Sequence, residues 1–313
     1  MPDLLDKRLV FVTGKGGVGK STVAIALGLL AARRGLRTIV AELASQDRVQ
    51  HAFDQDGALF REVRLAPDLF AISVDPQHAM EEYLEVKVGA LGHLLSTSRL
   101  FHAFAMATPG MRELLSIGKV WELAQLQRHT RGAAPYDFVV VDAPATGHGV
   151  GILKTPRMFA DIARVGPIAR QGRKIAATIA DPDFTGVVAV ATPEEMAVNE
   201  TLLLRDALAR EGMPLDAVIV NALYPSRFGA HEVDRLDTAL AKTRSALARS
   251  ALGAALSEHA RAATQHEQTE RLRDGLNRQL VELPFLFVDH VGISELERLS
   301  EALELALNTR GRA

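Results

Sequence analysis

Near its N-terminus the chain carries a glycine-rich segment with the spacing G-x-x-x-x-G-K-S/T, between an apolar run at 9–13 and a helical pattern that begins near Thr22. In such a loop successive backbone N–H groups turn toward a polyphosphate, the lysine reaches the outer phosphates, and the hydroxyl binds Mg²⁺. The predicted nucleotide-binding residues are Gly14, Lys15, Gly16, Gly17, Val18, Gly19, Lys20, Ser21 and Thr22. The motif therefore predicts that a strand–loop–helix unit binds ATP with Mg²⁺.

A second lysine, Lys15, follows the first glycine of this loop. Lys20 already supplies the cation that the motif requires, so Lys15 needs a separate explanation. From this position Lys15 is poorly placed to reach its own nucleotide, but it can reach the γ-phosphate bound by a facing copy of the protein. We therefore predict that nucleotide binding and dimer closure are coupled through Lys15. The alternative is an exposed lysine that the glycine loop tolerates.

The rest of the chain alternates between strand-like and helix-like segments. Apolar runs with the length and β-branched content of buried parallel strands lie at 37–41, 69–74, 138–141, 187–191, 217–220 and 281–283. Helical spacing separates most of them. The alternation predicts an α/β fold, with a doubly wound, mostly parallel sheet and helices on both faces. We expect one P-loop ATPase domain over 1–313, with a helical insertion at about 76–134 that 155–180 is a candidate to join.

Residues 226–280 have no strand pattern and are rich in alanine, arginine and glutamate, which predicts one or two long polar helices. Four leucines form a loosely periodic stripe along them, at Leu236, Leu240, Leu247 and Leu252. We expect this stripe to pack against the sheet and the charged faces to contact solvent.

Composition excludes several classes of protein. The net charge of −2 lacks the basic excess that binding nucleic acid non-specifically requires. Because no apolar run reaches eighteen residues and no leader pattern opens the chain, we expect a cytoplasmic protein without stable membrane insertion. The cysteine count is zero, which excludes disulfides, thiolate zinc sites and cysteine-ligated iron–sulfur clusters.

The apolar strand at 138–141 ends in a carboxylate, Asp142, as expected of the residue that holds the water shell of Mg²⁺ opposite Ser21. The predicted metal ligands are therefore Ser21 and Asp142. The residues that follow combine a proline with a glycine, an arrangement that allows a loop to respond to the γ-phosphate. This candidate switch contains Pro144, Thr146, Gly147 and His148.

These motifs resemble those of one family. The loop at 14–21 is similar to the deviant Walker A motif of the SIMIBI class of P-loop ATPases. The D-A-P-A-T-G-H segment at 142–148 resembles the D-T-A-P-T-G-H switch II of the branch that contains the arsenite-pump ATPase ArsA and the ATPases that target tail-anchored membrane proteins. The segment 282–286, with Gly292 and Leu296, is similar to the family's E-L-P-L-L…G-L, and Val220-Asn221 to its V-N-x.

The resemblance covers nearly the whole chain, with the motifs in the family's order. It implies an ATP-dependent dimer, a homodimer or a heterodimer with a paralogue, in which Lys15 acts across the interface. It also implies that Asn221 recognises adenine and that the segment containing Pro284 belongs to the nucleotide site.

The chain departs from the family at switch I. When the family's D-P-A-H-S-L-S-D-A-F is matched without gaps onto 44–53, Ala44 stands where the water-activating aspartate belongs. Two nearby acids, Glu42 and Asp47, are candidates to replace it, although each is equally explained as an ordinary loop acid. The candidate catalytic residues are therefore Lys15, Lys20, Asp47 and Glu42. Without the usual aspartate, hydrolysis is expected to be slow or to need a related subunit.

The absence of cysteine is a second departure. The targeting ATPases commonly clamp their dimer with zinc through a C-x-x-C in each subunit, and ArsA captures arsenite with thiolates. Zinc and trivalent arsenic both favour sulfur ligands, and the ten histidines show no ligand spacing that would replace them. We therefore expect contacts and nucleotide, without zinc or an iron–sulfur cluster, to hold any dimer.

The predicted insertion has the composition of a surface that accepts apolar partners. Its apolar residues are Leu94, Leu95, Leu100, Phe101, Phe104, Met106, Met111, Leu114, Leu115 and Ile117. Flexible methionine suits such surfaces, so an apolar groove for a hydrophobic helical client is one interpretation, and a helical layer over the sheet is the other. Met158, Phe159, Ile162 and Ile168 are candidates for a second wall.

Three functions remain open. The first is a nucleotide-gated carrier or chaperone for a hydrophobic or membrane-linked client. The second is a weakly hydrolysing regulatory subunit paired with an active paralogue, which the missing aspartate favours. The third is a positioning ATPase of the ParA and MinD type. Such proteins need a DNA-binding patch or a membrane-binding tail, and the acidic last helix provides neither convincingly.

Overall fold

A computed structural model of the chain describes residues 4–43, 47–88, 108–130, 132–163 and 167–310. The strands are β1 (Leu9–Gly14), β2 (Thr38–Glu42), β3 (Val63–Ala66), β4 (Leu69–Ser73), β5 (Phe138–Asp142), β6 (Thr185–Ala191), β7 (Ala217–Leu223) and β8 (Val281–Pro284). They form one eight-stranded sheet in the order β3-β4-β2-β5-β1-β6-β7-β8. Every neighbouring pair is parallel except β3 and β4. The α/β prediction is confirmed.

The described α-helices surround this sheet. They are α1 (Lys20–Arg33), α2 (Arg48–His51), α3 (Pro76–Val88), α4 (Met111–Leu123), α5 (Thr146–Ala163), α6 (Pro167–Ala180), α7 (Glu195–Arg210), α8 (Ala230–Lys242), α9 (Ala246–Leu276) and α10 (Ile293–Arg310). Helix α1 packs on β1, β2 and β5 with α10 beside it, while α4 to α7 contact one another and the central strands. None of the helices in these ranges has both the length and the apolar composition needed to cross a bilayer.

The sheet core has the pattern that parallel strands require. Strands β1, β5 and β6 are buried along their whole length, because helices cover parallel strands and their apolar residues meet no solvent. Strand β1 lies between β5 and β6. The chain continues from β1 to β2 on one side of it and later crosses to β6 on the other side, so the strand order reverses at β1. In open α/β sheets ligands bind at the carboxyl ends of strands at such a switch point. The fold therefore places the loop after β1 at the expected ligand site.

Two sequence expectations fail in particular elements. Strand β3 was not predicted, because it is an antiparallel edge strand of four partly exposed residues and lacks a buried apolar run. The leucine stripe at 236–252 does not pack against the sheet: α8 has no buried residue, and Leu247 on α9 is 83% exposed. Helix α9 is instead anchored through its C-terminal half, at Ala262, Thr269, Leu272 and Leu276.

The predicted insertion at 76–134 contains α3 and α4, and its boundary as a subdomain remains a prediction. Six of its apolar residues, Leu94, Leu95, Leu100, Phe101, Phe104 and Met106, lie outside the described residues. Helix α3 packs on α4, α4 on α5 and α6, and α5 on α6. Helices α3, α4 and α6 border a cavity of about 170 Å³ lined mainly by apolar side chains, among them Met80, Met111, Leu115 and Ile175.

A buried network of charges borders this helical layer. Arg128, whose side chain is 1% exposed, donates a 2.8 Å hydrogen bond to Glu122 and pairs with Glu62. Lys119 lies 2.8 Å from Glu82 and 3.1 Å from Glu122, and Tyr136 donates a 2.7 Å hydrogen bond to Glu62. The network joins α3, α4, the loop after α4 and the segment before β3.

Candidate nucleotide site

The loop at 14–21 has a backbone that requires glycine at two positions. Gly19 has φ 87°, and a Cβ there would lie 2.3 Å from Nδ2 of Asn221. Gly14 has φ 150°, and its Cβ would lie 2.2 Å from the carbonyl oxygen of Val190 on β6. At these two positions the loop is closely packed against β6 and β7, with no room for a larger side chain.

Three predicted residues meet behind this loop. The ammonium group of Lys20 donates a 3.0 Å hydrogen bond to the carbonyl oxygen of Lys15, so its side chain folds back over its own loop. The hydroxyl of Ser21 donates a 2.5 Å hydrogen bond to Oδ2 of Asp142, at the end of β5. Burial lowers the pKa of Lys20, while the carboxylate of Asp142 opposes that shift.

The pair formed by Ser21 and Asp142 fits a magnesium site. Both side chains offer oxygen atoms, which Mg²⁺ prefers, and they lie at the phosphate end of a glycine loop. Burial raises the pKa of Asp142, and the hydroxyl of Ser21 and the charge of Lys20 partly offset this effect. A cation would favour the ionised form of this carboxyl further. The predicted ligands are therefore in contact, as the motif requires.

Glu42 stands next to Asp142 in the sheet. It ends β2, and its Cα is paired with that of Asp142 on β5. The residue is 1% exposed, its Oε1 has no hydrogen-bond partner among the described residues, and it lines the same cavity as Lys20 and Ser21. Burial and the neighbouring Asp142 raise the pKa of Glu42 to about 7, although the backbone N–H groups of Val49 and Arg48 act in the opposite direction.

Asp47 has a different environment from Glu42. It adopts a left-handed backbone conformation, with φ 51°, immediately before α2. Its carboxyl group is packed against Gly57, where a Cβ would lie 2.6 Å from Oδ2. Asp47 is not among the described residues that line the cavity. Of the two candidate carboxylates, Glu42 therefore lies at the nucleotide pocket and Asp47 in the loop beside it.

The cavity in front of the glycine loop has a volume of about 620 Å³. It is lined by Gly16, Gly17, Gly19, Lys20, Ser21, Thr22, Ile25, Glu42, Arg48, Ala52, Asp142, Ala143, Pro144, Ala145, Val291 and Leu296. The lining residues that were not among the site residues predicted from the sequence are Ile25, Arg48, Ala52, Ala143, Ala145, Val291 and Leu296. Arg48 lies within the segment matched to switch I, but motif spacing alone gives no signal that its side chain borders the pocket.

Of the remaining predicted residues, Asn221 contacts the glycine loop and Pro144 lines the cavity. Asn221, on β7, donates a 2.9 Å hydrogen bond from Nδ2 to the carbonyl oxygen of Val18, and so contacts the loop directly. Pro284 ends β8 opposite Leu223 and is exposed. Neither is among the described residues lining the cavity, and adenine recognition by them stays a prediction. In the switch II segment Pro144 lines the pocket, while Thr146, Gly147 and His148 begin α5.

Lys15 is turned away from its own pocket. Its ammonium group lies 3.7 Å from Oε1 of Glu200 on α7, and both side chains are about one-third exposed. Lys15 is not among the described residues that line the cavity. The orientation agrees with the expectation that this lysine does not serve the nucleotide of its own chain, while its action in a second chain stays a prediction.

The raised pKa of Glu42 gives a pH-dependent stability. Because its pKa is about 7 in the folded protein, above the ordinary value of 4.5, ionisation opposes folding, and stability is lost as pH rises from 4.5 through 7. In Mg²⁺- and nucleotide-free protein we expect Glu42→Gln to melt roughly 2–6 °C above wild type at pH 8. At pH 5 the two proteins should melt together. Scanning fluorimetry in EDTA measures this difference, and equal melting temperatures at pH 8 would contradict it.

The chain is similar to several known ATPases. A family model described as anion-transporting ATPase matches residues 7–166 and 160–239. The ATPase BagA of Mycobacterium tuberculosis is 29% identical over 317 aligned positions, which cover 95% of this chain and 92% of BagA. The ATPase GET3C of Arabidopsis thaliana is 24% identical, and the alignment covers 72% of this chain and 69% of GET3C. The arsenical pump-driving ATPase of Escherichia coli is 24% identical, and the alignment covers 69% of this chain and 40% of the Escherichia coli protein.

Proposed function

This chain belongs to the anion-transporting ATPase family, and from that premise we propose that it hydrolyses Mg·ATP as a dimer that carries a hydrophobic or membrane-linked client. The main support for the catalytic part is one juxtaposition: Lys20, the Ser21–Asp142 pair and Glu42 all line the cavity in front of the glycine loop. ATP hydrolysis is the activity expected of this family, and we assign it to this cavity.

Each residue has a distinct role in the proposed reaction. The loop N–H groups and Lys20 bind the phosphates, and Lys20 must exchange its bond to the Lys15 carbonyl for a phosphate oxygen. Ser21 and Asp142 would hold Mg²⁺, which neutralises charge on the phosphates when bound. Glu42 orients the attacking water, because its unpartnered Oε1 is a buried acceptor at the cavity.

Turnover of matched variants tests this assignment. We expect Glu42→Gln to lower the ATP turnover number about 100-fold, because glutamine keeps the shape of the side chain but removes the acceptor charge. Asp47→Asn, which makes the same change in the neighbouring loop, should lower turnover less than threefold. Both variants should bind a non-hydrolysable ATP analogue as wild type does. Loss of turnover in Asp47→Asn with wild-type turnover in Glu42→Gln would reverse the assignment.

The dimer is proposed from the loop lysine. In the single chain Lys15 contacts Glu200 of its own α7 at 3.7 Å, an exposed pair that contributes little to stability. Exchanging Glu200 for the phosphates bound by a facing copy would give Lys15 a stronger, charge-assisted interaction. The energy of ATP binding would then favour dimer closure. A homodimer and a dimer with a paralogue both require this contact between Lys15 and the phosphates bound by the facing chain.

The carrier role rests on the helical layer. The cavity between α3, α4 and α6 is largely apolar, as a site for part of a hydrophobic helix requires. Two residues of the predicted second wall differ in exposure: Met158 is 56% exposed, and Phe159 is half-buried. The side chains of Ile162 and Ile168 lie outside the description. Capture of arsenite through thiolates is excluded, since the chain has no cysteine.

The second candidate function is a regulatory subunit that hydrolyses ATP weakly. The observation that favours it is Ala44 at the position of the family's catalytic aspartate. Turnover of the purified protein alone separates the two functions. A wild-type turnover number no higher than that of Glu42→Gln, which rises when a paralogue from the same family is added, would favour the regulatory subunit.

A further inference from the structure

Arg48 is a cation at the nucleotide pocket that no motif accounts for. It is the first residue of α2, its side chain is exposed, and it lines the cavity opposite the glycine loop. Of the described residues lining that cavity, Lys20 and Arg48 are the two that carry positive charge, and Glu42 and Asp142 are the two acids. Arg48 therefore contributes half of the fixed positive charge lining this part of the pocket.

The backbone that carries Arg48 is anchored on several sides. The left-handed residue Asp47 turns the chain so that the N–H groups of Arg48 and Val49 face the carboxyl of Glu42. The next residues, Val49 and Gln50, are each 1% exposed, and Gln50 exchanges hydrogen bonds of 3.2 Å and 2.9 Å with the backbone of Ala58. An exposed arginine on a fixed backbone is thus held at the rim of the pocket.

The position of Arg48 also identifies which part of a nucleotide it would meet. Arg48 lines the same cavity as Lys20 and Asp142, the two groups that handle the outer phosphates and Mg²⁺. In agreement with this placement, its charge adds to the lowering of the pKa of Lys20 by burial and opposes the rise in the pKa of Asp142. Its backbone N–H faces the carboxyl of Glu42, the last residue of β2, and both residues line the pocket. A guanidinium there can donate two hydrogen bonds to a phosphate, which a lysine cannot do with the same geometry.

We infer that Arg48 binds the outermost phosphate of ATP from within its own chain, held in place by Glu42 and the turn at Asp47. This inference rests on the proposed function, because it assigns a further residue to the same site. It makes Arg48 a sensor of the triphosphate: with a diphosphate, the group that Arg48 binds is absent.

Binding of two nucleotides to three variants tests the inference. Titration calorimetry measures the affinity of Mg²⁺-loaded wild type, Arg48→Ala, Arg48→Lys and Arg61→Ala for the analogue AMP-PNP and for ADP. Arg61 is an exposed arginine outside the cavity lining, so Arg61→Ala controls for the loss of one positive charge. We expect Arg48→Ala to bind AMP-PNP about 10- to 100-fold more weakly than wild type, as loss of a charge-assisted hydrogen bond predicts. Its affinity for ADP should change less than threefold.

The control variants complete the test. Arg48→Lys keeps the charge and is expected to lose less AMP-PNP affinity than Arg48→Ala, and Arg61→Ala should bind both nucleotides like wild type. Equal affinities of Arg48→Ala and wild type for AMP-PNP, or equal losses for AMP-PNP and ADP, would overturn the inference. If wild type binds neither nucleotide, the proposed function fails instead, so the two failures are distinguishable.

Discussion

Replacing Lys15 with alanine is expected to lower ATP turnover at least about 100-fold. At protein concentrations too low for dimers to form, the affinity of the single chain for ATP should stay within about threefold of wild type, because the coupling of ATP binding to dimer closure does not contribute there. The reason is that Lys15 is turned toward Glu200 and away from its own pocket, whereas Lys20 lines that pocket. Loss of a cation supplied by a second chain removes stabilisation of the transferring phosphate, while binding to the first chain is unaffected. Steady-state turnover and titration with a non-hydrolysable analogue measure the two quantities separately.

Two variants make this result specific to Lys15. Glu200→Gln removes the same-chain contact and should keep at least wild-type turnover, because Lys15 must leave Glu200 to act in the facing copy. Lys20→Ala should lose both ATP binding and turnover, since its ammonium serves its own pocket. If Lys15→Ala hydrolyses ATP at the wild-type rate, Lys15 has no catalytic role.

Replacing Arg128 with alanine is expected to lower the free energy of unfolding by about 2–4 kcal/mol, because the buried carboxylate of Glu122 loses its hydrogen-bonded guanidinium and keeps Lys119 as its remaining cationic partner. The side chains of Arg128 and Glu122 are 1% and 2% exposed, and Glu62 is the second carboxylate that Arg128 pairs with. These interactions hold the pKa of Glu122 below its ordinary value, although burial acts in the opposite direction. Urea unfolding followed by circular dichroism measures the change.

An exposed arginine provides the matched control. Arg227 lies 2.6 Å from Glu258, and its side chain is 51% exposed. Arg227→Ala should cost less than about 1 kcal/mol, because solvent screens surface ion pairs. A similar small loss in Arg128→Ala would show that water or neighbouring groups compensate the buried carboxylates, and the network would then not stabilise the helical layer.

The sequence predicts the parts of this fold that depend on continuous apolar runs and on motif spacing. Strands β1 and β5 were recognisable because a parallel strand buried on both faces is apolar at successive positions. The contact between Ser21 and Asp142 was predictable because parallel strands end at the same edge of the sheet. Strand β3 was not, since a short, partly exposed edge strand leaves no such pattern.

In the switch I region, the sequence alone does not identify which side chains border the pocket. From spacing alone, Asp47 is the first candidate for the missing carboxylate and Glu42 the second. Their difference arises from strand register, which places Glu42 beside Asp142, and from a left-handed turn, which places the side chain of Asp47 against Gly57. The same turn brings Arg48 to the pocket. These are properties of the assembled sheet edge, and no local pattern in the sequence specifies them.

The central proposal is that ATP joins two chains through Lys15, and sedimentation velocity with and without nucleotide tests it most directly. One chain has a mass of 33.9 kDa. The mass obtained for wild type with Mg²⁺ and saturating AMP-PNP should be twice that of the nucleotide-free protein. Lys15→Ala should have the mass of one chain with and without the nucleotide. If the proposed partner is a paralogue, the doubling should require its addition. A single-chain mass at saturating AMP-PNP, with and without the paralogue, would contradict the account.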